Sequence, residues 1–443
     1  MSSVDARALA ETFGGADPAR PLEPDLLPAV PALPAGADPS EADAVLADGA
    51  DQGPRILAVL HEHLGTQPEW TVEQGRGFTW WPGRLAIAVR VGDPTILHGL
   101  SAVRVTTTTM MLRDVPATPE TAEHVAGHNA RAALDGLVWD PDARTVALAS
   151  DIWCHAGDAW LDPLVYSASG LQAAIAESSV DALHAEIGGE IAATGHPASG
   201  PRAEHDELVD SGAAFAAAGD RSTPFTEGDL RALVRSPLAL LPFAVHGPDA
   251  VTAEVPASSA DGLMAGRRPQ ERTRALVDAA RRERTDPARA HEAAWLAAMG
   301  DGAMGDGATD GAVGLAGSAD APSGPRPGTA LLRISFGERH PDFGAGLAMR
   351  LRLPLRARSA ADAAALASRL NRRELADVKL APFVGAWTAE GTAPVFVAHF
   401  PVPLARGLGS DDRLAILATF AAWMRERAAW ATPVALDGPE GAA

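Results

Sequence analysis

A single cysteine, Cys154, rules out an intrachain disulfide and fits a reducing compartment. Lysine is as scarce: Lys379 stands alone, and arginine carries the rest of the positive charge. Acidic residues outnumber basic ones 57 to 37, for a formal charge of −20. The chain therefore lacks the broad cationic face that nucleic acid or an anionic membrane requires. No stretch approaches the roughly 20 apolar residues of a membrane span, and no basic segment followed by an apolar one opens the chain. These absences lead us to expect a cytoplasmic protein. What is present is a 47 % apolar fraction over 443 residues, enough for two or three domains with real cores.

Catalytic signatures are missing too. There is no CxxC, no Gly-x-Ser-x-Gly elbow and no HExxH. Gly300-Asp301-Gly302-Ala303-Met304-Gly305 matches a dinucleotide fingerprint in letters only, because no strand leads in and no helix leads out. His61 and His63 sit two apart on a helix and point about 200° apart, which suits solvated histidines better than one metal ion. Cys154 and His155 are neighbours on a strand and face opposite ways, so Cys154 reads as a small buried thiol. We therefore expect no cofactor and no metal. The basic island at Arg267–Arg284 is interleaved with Glu271, Asp278 and Glu283, as on a surface helix laced by local ion pairs.

The most informative stretch lies near the C-terminus. Leu347, Met349, Leu351, Leu353 and Leu355 alternate with Ala348, Arg350, Arg352 and Pro354, which puts the large apolar side chains on one face of a strand and both arginines on the other. Ser359 then caps a helix striped by Ala363, Leu366, Ala367 and Leu370 and reaching Asn371. Apolar runs at 378–387 and 395–404 predict a hairpin, and a helix from Asp411 closes the unit. Earlier in the chain the same order occurs. A helix near residue 56 precedes strands at 70–73, 78–81, 84–91 and 103–112. Thr118-Pro119-Glu120 then opens a helix running through Val125 and Asn129 to about Ala133. Strands at 137–139 and 145–153 flank the turn Asp140-Pro141-Asp142-Ala143, and a helix follows from Ser169 with Leu171, Ile175, Ala182 and Ile187 as its buried face.

Thr118 and Ser359 are 241 positions apart, and Asn129 and Asn371 are 242 apart. The fold class expected is α+β: two tandem α-β-β-β-α-β-β-α units whose antiparallel sheets form an intramolecular pseudo-dimer. The domain map is a disordered acidic, proline-rich arm at 1–53, a first unit at 54–190 and a linker at 191–228. A second unit at 229–433 carries a helical and low-complexity insertion at 257–328, and a tail covers 434–443. Trp80 and Trp81 are consecutive on a strand, so one indole is expected to face outward as a binding anchor. Trp153, Trp160 and Trp387 complete the candidate partner-binding set.

This element order resembles the type III secretion chaperone-like fold, including the bacterial YbjN family. The resemblance rests on the strand at 347–355, the helix ending Leu370-Asn371-Arg372-Arg373, the hairpin at 378–404 and the helix at 414–430. In the first unit it rests on 103–112, His128-Asn129, 137–153 and 171–187. It implies a non-enzymatic, chaperone-like or scaffolding protein that binds a protein or peptide partner through exposed sheet surface. Homodimers are common in that family, so two units in one chain imply an intramolecular pair in a possibly monomeric protein. Two alternatives stand beside it: a small-molecule or effector sensor with a cleft between the units, and an enzyme pairing His155 with Asp151 or Asp158.

Overall fold

The computed structural model describes residues 51–97, 100–155, 161–209, 225–235, 241, 243–245, 249–256, 328–336, 338–377, 381–401 and 410–436. The arm up to residue 50, the insertion from 257 to 327 with its arginine-rich segment, the tail beyond 436, Asp158 and Trp160 lie outside them. So does the side chain of His155. Helices and two antiparallel sheets make up an α+β architecture.

The first half opens with α1 (Gly53–Leu64), whose Ile56, Leu60 and Leu64 recur every four residues and are buried. Strands β1 (Thr71–Glu73), β2 (Gly77–Trp80) and β3 (Ile87–Val91) lead through the short β4 (Thr95–Leu97) to the long β5 (Leu100–Arg113). Helix α2 (Pro119–Asn129) follows, capped as expected: the Thr118 hydroxyl accepts from Thr121 N–H at 3.4 Å. The hairpin β6 (Gly136–Asp140) and β7 (Thr145–His155) then folds back so that β7 lies beside β5, giving the order β1-β2-β3-β5-β7-β6. Helix α3 (Leu161–Ile187) closes this half, with β8 (Glu190–Ile191) paired to the end of β5.

Helix α3 starts eight residues before the expected Ser169. Pro163 sits in its first turn, where a missing N–H costs nothing, and Leu161, Leu164, Val165, Ala168 and Leu171 continue the apolar stripe toward the N-terminus. Ala182 is exposed rather than buried; Val180 and Leu183 take the inner positions instead, and Ile187 is buried as expected.

The second half begins with α4 (Glu227–Arg235), then β9 (Phe243–Val245), β10 (Ala250–Pro256), β11 (Thr329–Ser335) and β12 (Gly346–Arg352). The alternating stretch behaves as its pattern demands, since Leu347, Met349 and Leu351 are buried and Arg352 is exposed. Helix α5 (Ala360–Ala376) is capped by Ser359, whose hydroxyl accepts from Asp362 N–H at 3.0 Å. The hairpin β13 (Ala386–Glu390) and β14 (Ala393–Pro401) and helix α6 (Ser410–Leu436) complete it. The strand order, read inward from the outer edge, is β9-β10-β11-β12-β14-β13.

In each half the first hairpin strand is an edge with one strand neighbour, and a helix asparagine supplies the missing partner. Asn129 donates to Leu137 O (2.9 Å) and accepts from Leu137 N–H (2.8 Å). Asn371 does the same with Trp387 O (3.0 Å) and Trp387 N–H (2.7 Å). A primary amide offers one acceptor and a donor at the spacing of a backbone peptide, so one side chain satisfies both exposed groups of a strand residue.

The halves meet at these hairpins. Asp151 N–H donates to Phe383 O at 3.0 Å, and His399 N–H donates to Ala133 O at 3.2 Å. Asp151 lies three residues past Leu148, the register partner of Leu137; His399 lies three past Phe396, the partner of Trp387. The two bonds therefore exchange when the halves are exchanged, as in an isologous interface. Thr388 Oγ1 donates to Ala126 O at 2.6 Å, and Arg104 Nη2 donates to Leu375 O at 2.7 Å. A Cβ added to Gly136 would stand 2.6 Å from Ala386 Cβ, so only glycine lets the starts of β6 and β13 come this close.

Candidate binding surface

The expected indole anchors are not available to solvent. Trp80 is fully buried and Trp81 is 6 % exposed, and Trp153 and Trp387 are buried as well. For Trp81 the reason is a strap, residues 192–208, in the stretch expected to be a linker. Its Thr194 hydroxyl accepts from Trp81 Nε1 at 3.1 Å, and the His196 ring stands edge-on to Trp81 at 5.2 Å. Arg202 donates to Trp81 O at 2.8 Å and lies over the Trp70 ring at 5.0 Å. A cation over an indole and a ring edge against another are both attractive, so the strap seals the second tryptophan of the pair.

The strap also contains a motif that occurs twice. In His196-Pro-Ala-Ser-Gly200 the histidine and glycine exchange backbone hydrogen bonds, and Nδ1 accepts from Ala198 and Ser199 N–H. In His340-Pro-Asp-Phe-Gly344 the same bonds run from Asp342 and Phe343 N–H to Nδ1. Both glycines have positive φ, +76° and +66°. An Nδ1 that accepts two N–H bonds cannot carry a proton, so His340 is neutral with its hydrogen on Nε2, which donates to Arg131 O across the contact between the halves at 2.7 Å. The spacing His-Pro-x-x-Gly was the sequence signal for this loop.

A groove of about 840 Å³ lies between the end of α1 and the strap, with His63, Gln67, Trp70, Arg202 and His205 on its walls. It belongs to the first half. His63 stacks on Tyr166 and His61 bonds Thr66 Oγ1, so the two point to different neighbours. Among the described residues no cluster of three or more His, Cys, Asp or Glu side chains is placed to hold a metal ion. Asp151, half of the His155 pairing considered above, holds Arg104 bidentately at 2.8 and 2.7 Å. Cys154 is buried, as its pattern predicted.

The contact between the halves buries polar groups. His399 is 3 % exposed, its Nε2 has no partner among the described residues, and its ring lies 5.0 Å from that of His340. Burial and the neighbouring His340 hold the His399 pKa down to about 3. Asp135, also 3 % exposed, is pushed up to about 7 by burial. In the second half, Arg427 and Glu374 form a fully buried pair at 2.7 Å, with Trp387 Nε1 on the other carboxylate oxygen and Arg427 over the Phe396 ring.

Among the described residues one sheet face is open. Along β10, β11 and β12 exposure alternates residue by residue, whereas β2, β6 and β14 are buried on both faces. The outward rows follow from the register. Thr252 opposes Arg333, which opposes Arg350; Glu254 opposes Leu331, which opposes Arg352. Toward the hairpin these rows continue to Val397 and Val395, both buried where Thr388 bonds the first half. Glu338 bridges Arg333 and Arg350 at 3.1 and 3.2 Å, and Glu390 also pairs with Arg350.

Family models, curated proteins and solved structures contain no match to this chain. Among the described residues no helix is long and apolar enough to cross a membrane.

Proposed function

We propose that this protein is a non-enzymatic, chaperone-like or scaffolding module that holds a polypeptide partner on the outer face of its second sheet. The observation that carries the reading is the open face of β10–β12, with Leu331 half-buried between Glu254 and Arg352 and Ala348 half-buried between Ser335 and His399. Side-chain rows spaced along a sheet suit an extended segment, whose alternate residues fall on the same period. The matching strand orders, the paired asparagines and the exchangeable bonds at 151–383 and 399–133 support tandem duplication and an intramolecular pseudo-dimer in the type III secretion chaperone-like manner. In this reading the first half keeps Trp70 and Trp81 against the strap and acts as the fixed partner.

The test is an array of extended peptides probed with the full chain and with Leu331→Gln and Ala348→Arg. Both variants should keep the parent's thermal midpoint and lose array binding. Unchanged binding by both would remove this face from the account. The groove beside the strap favours a second reading, a small-molecule sensor. A thermal-shift screen with metabolites and nucleotides, repeated on Arg202→Ala, separates it from the first.

A further inference from the structure

The open face carries a ladder of positive charge in a chain whose formal charge is −20. Arg350 and Arg352 sit two apart on β12 and project outward, and Arg333 lies directly across from Arg350. Beyond β12 the chain bends at Pro354 and runs beside the β13–β14 turn, where Leu353 N–H donates to Pro394 O (3.2 Å) and Ala357 N–H to Thr392 O (2.8 Å). Arg356 and Arg358 lie in this stretch, and both are exposed, as is Arg352.

Local ion pairs account for Arg333 and Arg350 but not for the rest of the ladder. Like charges directly opposite on neighbouring strands repel, and Glu338, which bridges Arg333 and Arg350, together with Glu390 on Arg350, offsets it. Among the described residues Arg352, Arg356 and Arg358 have no ion pair. Guanidinium groups two residues apart on a strand are spaced by about 6.8 Å, the same interval as alternate side chains of any extended peptide. Arg350 already holds Glu338 and Glu390, so carboxylates of such a peptide would meet Arg352 and, past the bend at Pro354, Arg356 and Arg358. Guanidinium forks are matched to carboxylates in geometry as well as charge.

We infer that the partner segment is acidic and extended, lying along the end of β12 with its carboxylates facing Arg352, Arg356 and Arg358. The inference rests on the peptide-binding reading and names the chemistry of its partner. The chain's negative balance disfavours the longer-range field of a nucleic acid, while a short acidic segment needs only the local ladder.

The experiment is fluorescence anisotropy of the full chain with labelled decaglutamate, decaglutamine and a single-stranded oligonucleotide, at low and at physiological salt. Decaglutamate should bind saturably, weaken with salt and bind at least about tenfold more tightly than decaglutamine. The triple variant Arg352→Glu, Arg356→Glu, Arg358→Glu should weaken decaglutamate binding by about tenfold or more, and Arg352→Gln with Arg358→Gln by a smaller factor. Equal binding of decaglutamine, tighter binding of the oligonucleotide, or indifference to both sets of substitutions would overturn the inference. A concentration-dependent dimer dissolved by the triple variant, with no decaglutamate binding, would also overturn it in favour of a second copy. If array peptides still bind in a Leu331-dependent way while decaglutamate does not, only the acidic chemistry falls and the peptide-binding reading stands.

Discussion

Two buried groups at the contact between the halves should pull stability in opposite directions as pH changes. His399 has a pKa near 3 when folded and ordinarily titrates near 6.5, so between these values the unfolded chain binds the extra proton. Stability from this group is complete above pH 6.5 and is lost as pH falls toward 3. Asp135 is the reverse case. Its folded pKa near 7 lies above the ordinary 3.8, so the folded chain keeps a proton that the unfolded chain has released. Its contribution is complete below 3.8 and is lost as pH rises through 7. One proton corresponds to about 1.4 kcal/mol per pH unit, so each group is worth roughly 4 to 5 kcal/mol over its whole window. Where the windows overlap the slopes cancel. His340, also lowered by burial, adds to the His399 side; it is faced by Asp342, Arg131 and His399.

The perturbation is to remove one group at a time. Urea unfolding of the parent, Asp135→Asn and His399→Gln is measured from about pH 5 to about pH 6.5. Relative to the parent, Asp135→Asn should gain about 2 kcal/mol of stability across that interval, and His399→Gln should lose about 2 kcal/mol. Three parallel curves would refute the reasoning, because they would mean that neither group titrates differently in the folded chain.

Other consequences are local. Asn129→Ala and Asn371→Ala each strand two buried backbone groups, so each should cost about 2 to 5 kcal/mol in urea unfolding, whereas loss of helix propensity alone predicts a change near zero. Glu374→Gln leaves Arg427 buried without its counter-charge and should cost about 3 to 5 kcal/mol, while Glu374→Leu with Arg427→Met should recover most of it. Trp81→Ala removes the ring on which His196 and Thr194 rest; hydrogen exchange should rise across 192–208, with partner binding unaffected.

Local signals in the sequence carried much of this architecture. The alternation through Leu347, Met349 and Leu351 located β12, and the Thr118 and Ser359 caps located the starts of α2 and α5 to the residue, because each depends on neighbours within one turn. The spacing of Asn129 and Asn371 pointed to matching helices, although their role in pinning an edge strand appears only when Leu137 and Trp387 are in place. The strap was hidden because its composition is that of a linker; what orders it is contact with Trp70, Trp81 and Glu177, more than a hundred residues away for the first two. The same long-range packing is why Trp81 is covered. The arginine ladder was half visible: Arg350 and Arg352 were placed on the outer face, but Arg333 joins them only through strand register.

The account depends most on where a bound polypeptide lies. A photo-crosslinking residue placed in the full chain at Ala348 or Leu331, with Ala182 on the exposed side of α3 as the control, locates it directly. We predict crosslinks to array-selected peptides from positions 348 and 331 and none from 182. Crosslinks from 182 alone, or from all three positions equally, would contradict a partner held on the second sheet.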